Sequence, residues 1–300
     1  MRSERSWTPE RPVDLHALLA PLRRGRGDPT MRVDTDGTVW RAGTTPDGAA
    51  TLALRSGTGG TVHATGWGPG AGWALDGVPA LLGADDDDSG FVAHHPLIAQ
   101  ARRRLPGLRL GATRRVWDVL VPAVLEQKVT GGEARRSWRE LCWRFGEPAP
   151  GPGGLRVPPA PAAVRAIPDW EWHRAGVDRS RRRALLAAAV VAHRLEDAVA
   201  LGGAGGRDLL RKVPGIGVWT AAEVAQRAWA DADAVSVGDF HIPSVVGYAL
   251  LGGPLDDEGM LAVLAPYAPQ RHRAVRYIEA SGYHRPRFGP RYSPRDYRAI

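Results

Sequence analysis

Cysteine is nearly absent from this chain. Cys142 is the single one in 300 residues, which excludes an intrachain disulfide, a multi-cysteine zinc site and a four-cysteine iron–sulfur cluster. Lysine is almost as scarce: Lys128 and Lys212 are the only two, and every other basic residue is arginine. No apolar run approaches the ~18 residues needed to span a bilayer. The N-terminal MRSERSWTPERPVDL has no apolar stretch of the signal-peptide kind. A cytoplasmic protein with no membrane partner is therefore expected. What remains is a globular composition, 43% hydrophobic, with a net charge of +8 and a pI near 10.3. The length supports two or three domains with real cores, and the positive balance favours polyanionic partners, nucleic acid first among them.

Two kinds of patterning divide the chain. Over residues 12–73 a short helix, DLHALLAPLRR, is followed by apolar runs (TMRVDT, GTVWRAG, ATLALR, GTVHATGW) punctuated by Gly, Asp and Thr, as in strands joined by tight turns. The acidic run 85–88 reads as a solvated turn, because adjacent like charges repel and resist burial. From about residue 95 apolar residues recur at three- and four-residue intervals, in PLIAQARRRL, WDVLVPAVLEQKV and EARRSWRELCWRFG. Asp118 is placed to cap the second of these helices, which brings Pro122 close to its first turn. A Pro/Gly-rich loop over 147–161 precedes helices at about 162–167 and 181–195, and GGAGG at 202–206 marks another break. Arginines 102–104 and 181–183 read as solvated helix faces.

The most informative segment is RDLLRKVPGIGVWTAAEVAQRAWA at 207–230: a helix, the turn Pro214-Gly215-Ile216-Gly217, and a second helix. Two glycines let the backbone take positive φ and approach another molecule closely. The turn's amides and the following helix N-terminus suit a phosphate, with Pro214, Gly215, Ile216, Gly217, Val218 and Thr220 as the candidate contacts. Downstream, in DADAVSVGDFHIPSVVGYAL, Asp239 stands before a new apolar helix. Taken singly it fits a helix N-cap as well as a functional carboxylate.

Hairpin and trailing Asp together resemble the helix-hairpin-helix DNA glycosylase superfamily, most closely the DNA-3-methyladenine glycosylase II family. The similarity extends to VLEQKVTGGEARRSWRELCWRFGEP, PGLRL at 106–110 and APQRHRAVRYIEAS. It implies an α+β protein, mostly helical, with an N-terminal antiparallel-sheet domain of TATA-binding-protein-like fold at 1–90. A helical region would follow at 91–282, made of subdomains 113–230 and 91–112 plus 231–282 flanking a catalytic cleft, with a basic Pro-rich tail at 283–300. Duplex DNA containing damaged bases is the implied partner of a monomeric enzyme. The implied reaction is hydrolysis of the N-glycosidic bond of a flipped-out base, with Asp239 stabilising oxocarbenium character on the sugar or activating the water.

The resemblance places Trp219, Gln127, Glu223 and Tyr277 about the base pocket, where an electron-rich wall would hold a cationic purine such as 3-methyladenine. Lys128 stands at the DNA wedge. Relatives that also nick the backbone carry a Schiff-base lysine where this chain has Trp219, so a monofunctional enzyme leaving an abasic site is expected. Glu223 and Glu279 stand where aromatic residues would be expected, which depletes the pocket. Thr220 and Glu223 also fit a capping box. His241 fits either proton transfer or a surface position, and Glu126 an exposed helix face. No side-chain metal site or cofactor is expected, beyond a monovalent cation on hairpin backbone carbonyls. A non-catalytic DNA-binding or damage-sensing protein, with Asp239 as a simple cap, is the alternative. The tail HRPRFGPRYSPRDYRAI, with five arginines among aromatics, suits either a DNA backbone or a surface strap.

Overall fold

The computed structural model describes residues 2–286 and 296. Most of the expected tail, 283–300, therefore lies outside the described residues. The architecture is α+β as expected, an N-terminal antiparallel sheet followed by helices. Five strands, β1 (Arg2–Trp7), β2 (Met31–Val33), β3 (Val39–Thr45), β4 (Gly48–Ser56) and β5 (Val62–Trp67), form one antiparallel sheet in the order β1-β5-β4-β3-β2. β1 was not legible as a strand. Its RSERSW lacks an apolar face, and it pairs along the edge of β5, Arg2 opposite Trp67 and Trp7 opposite Val62. Charged side chains suit an edge strand, where they deter pairing with another chain. Val39, Leu52, Leu54, Val62 and Ala64 are buried on the inner face under the helices Leu15–Leu19 and Ala71–Asp76.

A second core is built around the helix Val116–Leu125, whose ten residues are all buried. A helix that is apolar nearly all round must sit at the centre of a bundle. The helices Gly131–Phe145, Arg179–Val190 and Val218–Ala228 enclose it. A third core joins Phe91, Ile98 and Ala101 to residues from 235 to 278. Among the described residues no helix is long and apolar enough to cross a membrane.

Three local expectations need correction, each because a distant partner competes for the residue. Asp118 does not cap the helix Val116–Leu125. Glu196 accepts from the Val116 and Trp117 N–H groups at 2.9 and 3.0 Å. Asp118 is buried instead against the sheet, accepting from the Thr44 N–H at 2.9 Å and the Thr44 hydroxyl at 2.6 Å. The acidic run is only half a solvated turn: Asp85 and Asp87 are exposed as expected, but Asp86 and Asp88 turn their carboxylates inward. Asp86 is buried and pairs with Arg273, which is fully buried and donates to both Asp86 oxygens at 2.8 and 2.5 Å. Asp88 receives Arg11, Arg102 and Arg109. Arg181 is likewise buried, donating to the Leu125 carbonyl at 2.9 Å and the Gly176 carbonyl at 2.9 Å. There it satisfies an orphan carbonyl at the end of the central helix.

Candidate active site

The hairpin consists of the helices Gly203–Arg211 and Val218–Ala228 joined through the 214–217 turn. Gly215 adopts φ +91°, and a Cβ there would lie 2.6 Å from the Ala184 Cβ. Glycine is thus needed both for the turn and for its seat on the helix Arg179–Val190. Ile216 anchors the turn in the core, while Pro214, Gly215, Gly217 and Val218 are exposed. Thr220 is buried and belongs to no capping box; Gly217 is the N-cap, without a side-chain bond.

Gln127 does not enter the base pocket. Its Nε2 donates to the Gly215 carbonyl at 3.0 Å and the Thr220 hydroxyl at 2.8 Å, which staples the Lys128 turn to the hairpin. Lys128 is exposed at the tip of that turn with φ +54°. Arg24 pairs with Glu126 beneath it at 3.2 Å, so Glu126 is not merely a solvated face. The hairpin carbonyls proposed for a monovalent cation are partly engaged. Gly215 accepts from Gln127, and Val213 from the Ile216 N–H at 3.0 Å. Each keeps a second lone pair, a donor type that fits such an ion, and no step below is routed through it.

Asp239 is held from three directions. Its Oδ1 accepts from the His241 and Ile242 N–H groups at 2.7 and 2.9 Å, and its Oδ2 from the Trp219 indole at 2.9 Å. It therefore serves the N-terminus of the helix Ile242–Leu251 and also lines a cavity of about 490 Å³. Bonding the first amides of that helix thus leaves Asp239 at the cavity wall, although the N-cap position itself is His241. Trp219 meets this carboxylate and is not among the cavity's lining residues. Tyr277 does not line it either. It is 2% exposed and packs against Phe91 in the third core, with ring centroids 5.4 Å apart.

The cavity draws its walls from the whole chain. Leu18, Pro21, Leu22 and Leu81 come from the N-terminal sheet region, and Arg109 and Leu110 from the PGLRL segment. Glu223, Gln226 and Arg227 come from the second hairpin helix. His272, Val275, Arg276 and Glu279 come from the helix Arg271–Ala280, and their spacing of three and four places them on one helix face. Among the described residues no Trp, Tyr or Phe lines it, so they supply no electron-rich wall of the kind expected for a cationic purine.

The polar groups of the wall are mostly spent on one another. Glu223 accepts from the Ser236 hydroxyl at 2.6 Å and from Arg227 at 2.8 Å. Gln226 donates to Ser236 at 2.8 Å, Arg227 donates to the Pro21 carbonyl at 3.1 Å, and Arg276 pairs with Glu279. Burial opposes the Arg227 charge, but Glu223 and Glu126 outweigh it and raise that guanidinium above its ordinary value. His241 is exposed beside Asp239 and contacts Arg285 at 3.3 Å. His272 and Arg276 escaped the sequence reading. The 272/275/276/279 stripe was the available signal, but an apolar stripe at 274/275/278 competes with it on the same helix.

The chain matches no protein-family model, and no curated protein sequence is significantly similar to it. Its fold is nevertheless shared with solved structures. A 3-methyladenine DNA glycosylase from Archaeoglobus fulgidus superposes with a TM-score of 0.74 at 16% identity, covering 91% of this chain and 97% of that one. An apo 8-oxoguanine glycosylase/lyase from Clostridium acetobutylicum gives 0.72 at 11% identity, covering 94% and 99%. MBOgg1 in complex with a low-affinity DNA ligand gives 0.70 at 15% identity, covering 94% and 95%. The chain therefore has the helix-hairpin-helix DNA glycosylase fold.

Proposed function

We propose that this protein is a monofunctional DNA glycosylase that removes damaged purines, alkylated ones included, and leaves an abasic site. The observation that carries this reading is the position of Asp239: a fixed carboxylate on the wall of a base-sized cavity, beside a hairpin whose exposed turn suits a DNA phosphate. A base in duplex DNA must be rotated out before it reaches such a cavity. The hairpin amides at Gly217 and Val218 would hold the strand, and Lys128 would stand at the gap. As the C1′–N bond lengthens, its electron pair moves onto the base and positive charge develops on the sugar. Three hydrogen bonds keep Asp239 oriented for that charge without reorganisation in the transition state. Water then bonds to C1′, its proton passes to Asp239 or solvent, and the base leaves.

Absence of lyase chemistry is supported by the position of Trp219 beside Asp239, and neither lysine lines the cavity. The test is incubation of duplex DNA carrying alkylated purines, both methylated and etheno-bridged, with wild type and Asp239→Asn, scoring free base and alkali-dependent strand breaks. Base release by wild type, breaks only after alkali, and loss of both in the variant are expected. Equal release by the two proteins refutes the assignment.

A further inference from the structure

One polar side chain of the cavity wall makes no hydrogen bond to protein among the described residues. It is His272, which is 7% exposed. Every other polar side chain of the wall has a partner. The His272 ring nitrogens open onto the cavity rather than onto protein, which leaves them available to a bound ligand. The neighbouring charges indicate the kind of ligand. Of the three carboxylates on the wall, Glu223 and Glu279 are already paired with Arg227 and Arg276, and Asp239 is held by three neutral donors at the side where the sugar would lie. Arg109, the third guanidinium of the wall, is paired with Asp88, so the charges around the pocket are largely compensated.

Resting on the glycosylase reading above, we propose that this pocket accepts an uncharged damaged base, whose hydrogen-bonding edge is read by His272, and discriminates against cationic alkylpurines. Burial keeps the imidazole well below its ordinary pKa, with Arg276, Arg227 and Arg273 adding to the effect. The ring is therefore neutral and offers one N–H donor and one bare nitrogen acceptor. An uncharged purine presents donors and acceptors along one edge, which such a ring can meet. A base cationic by N7 or N3 methylation meets no aromatic ring among the described lining residues, and its charge gains little from carboxylates already engaged with guanidiniums.

Chemistry points the same way. An uncharged base departs with the electron pair of its glycosidic bond and so with developing negative charge. Arg276, Arg227 and the His272 N–H face that charge. The base takes its proton from solvent while water supplies the new C1′–O bond, so atoms and charge balance without a further reactant.

The test uses duplexes of one sequence carrying hypoxanthine, ethenoadenine or N7-methylguanine, the last with a 2′-fluorinated sugar for binding. Excision is followed with wild type under single turnover. Equilibrium binding is followed with Asp239→Asn, so that recognition is read apart from catalysis. At least one uncharged lesion is expected to be preferred over N7-methylguanine by about tenfold or more in binding, roughly one hydrogen bond's worth. In the Asp239→Asn background, His272→Leu removes the preference and His272→Gln, which still donates and accepts, restores most of it. Arg276→Leu, which frees Glu279, shifts the ratio toward the cation. A preference for N7-methylguanine, equal binding of all three, or an unchanged ratio in His272→Leu overturns the proposal. Should wild type release no base while the His272-dependent binding preference persists, catalysis is refuted and the pocket assignment stands.

Discussion

Trp219→Phe isolates the contribution of a single hydrogen bond to Asp239. The phenyl ring keeps most of the indole's packing but removes the Nε1–H that reaches Oδ2 at 2.9 Å, while Oδ1 keeps its two backbone donors. Hydrogen bonds to a charged group contribute about 1.5–3 kcal/mol. If the whole of that is lost from the transition state, the excision rate falls about 10- to 150-fold. The backbone bonds to Oδ1 serve the helix Ile242–Leu251 and survive the change, so the melting temperature is expected to move by no more than about 2 °C. The assay is single-turnover base release from one lesion duplex, run beside thermal denaturation and beside Asp239→Asn. Undiminished release by Trp219→Phe refutes the orienting role. A rate loss matched by a large drop in melting temperature shows instead that the ring is simply core.

Other substitutions test the corrected contacts. Asp86→Ala leaves the Arg273 guanidinium buried without its carboxylate, with only the Gln270 side chain and the Asp87 carbonyl to accept from it; a cost of about 3–5 kcal/mol in urea unfolding is expected, and a loss below about 1 kcal/mol refutes the clamp. Gln127→Ala cuts the staple between the Lys128 turn and the hairpin. Its affinity for abasic-site duplex should fall about three- to tenfold at unchanged fold content, in line with one or two neutral hydrogen bonds; wild-type affinity would count against the staple. His272 has a lowered folded pKa through burial first and then its arginine neighbours, so below about pH 6.5 the unfolded chain takes up a proton that the folded chain refuses. The associated stability is complete above that pH and is lost as pH falls. His95, lowered by burial and then by His94, acts in the same direction. His272→Gln should therefore flatten, without abolishing, the fall in melting temperature between pH 7 and 5, and an unaltered slope excludes the buried neutral ring. Lys128→Gln, if it removes one phosphate contact, lowers the slope of log affinity against log salt by about 0.9; an unchanged slope excludes that contact.

What could be read from the sequence was local chemistry. The Pro214-Gly215-Ile216-Gly217 turn announces itself because its conformational demands are met by its own residues. The helical period around Val116–Leu125 is equally self-contained. Misreadings arose where a partner far along the chain decides the outcome. Asp118 looks like a cap until Glu196 takes the helix amides, and Asp86 looks solvated until Arg273, 187 residues away, buries it. β1 was missed because an edge strand needs no apolar face. For the site, Asp239 was legible from its context, but Tyr277 and His272 differ only in which face of one helix turns toward the cavity. That choice is made by Phe91 and the third core, through packing that no period in the sequence reports.

The cavity also explains why the N-terminal sheet region accompanies the helical part. Pro21, Leu22 and Leu81 wall it off from one side, and the Pro21 carbonyl holds the Arg227 Nε while Glu223 holds its terminal nitrogen. With both ends fixed, the guanidinium is held in the wall, and in a partly enclosed cavity its charge would act on a bound base with less screening than in bulk water. The helices alone would leave that arginine one anchor short and the pocket open along the Leu18–Leu22 side. The charge pattern proposed to select the base would therefore be a joint product of sheet region and hairpin, and a change at the Pro21 turn should alter lesion preference without touching Asp239.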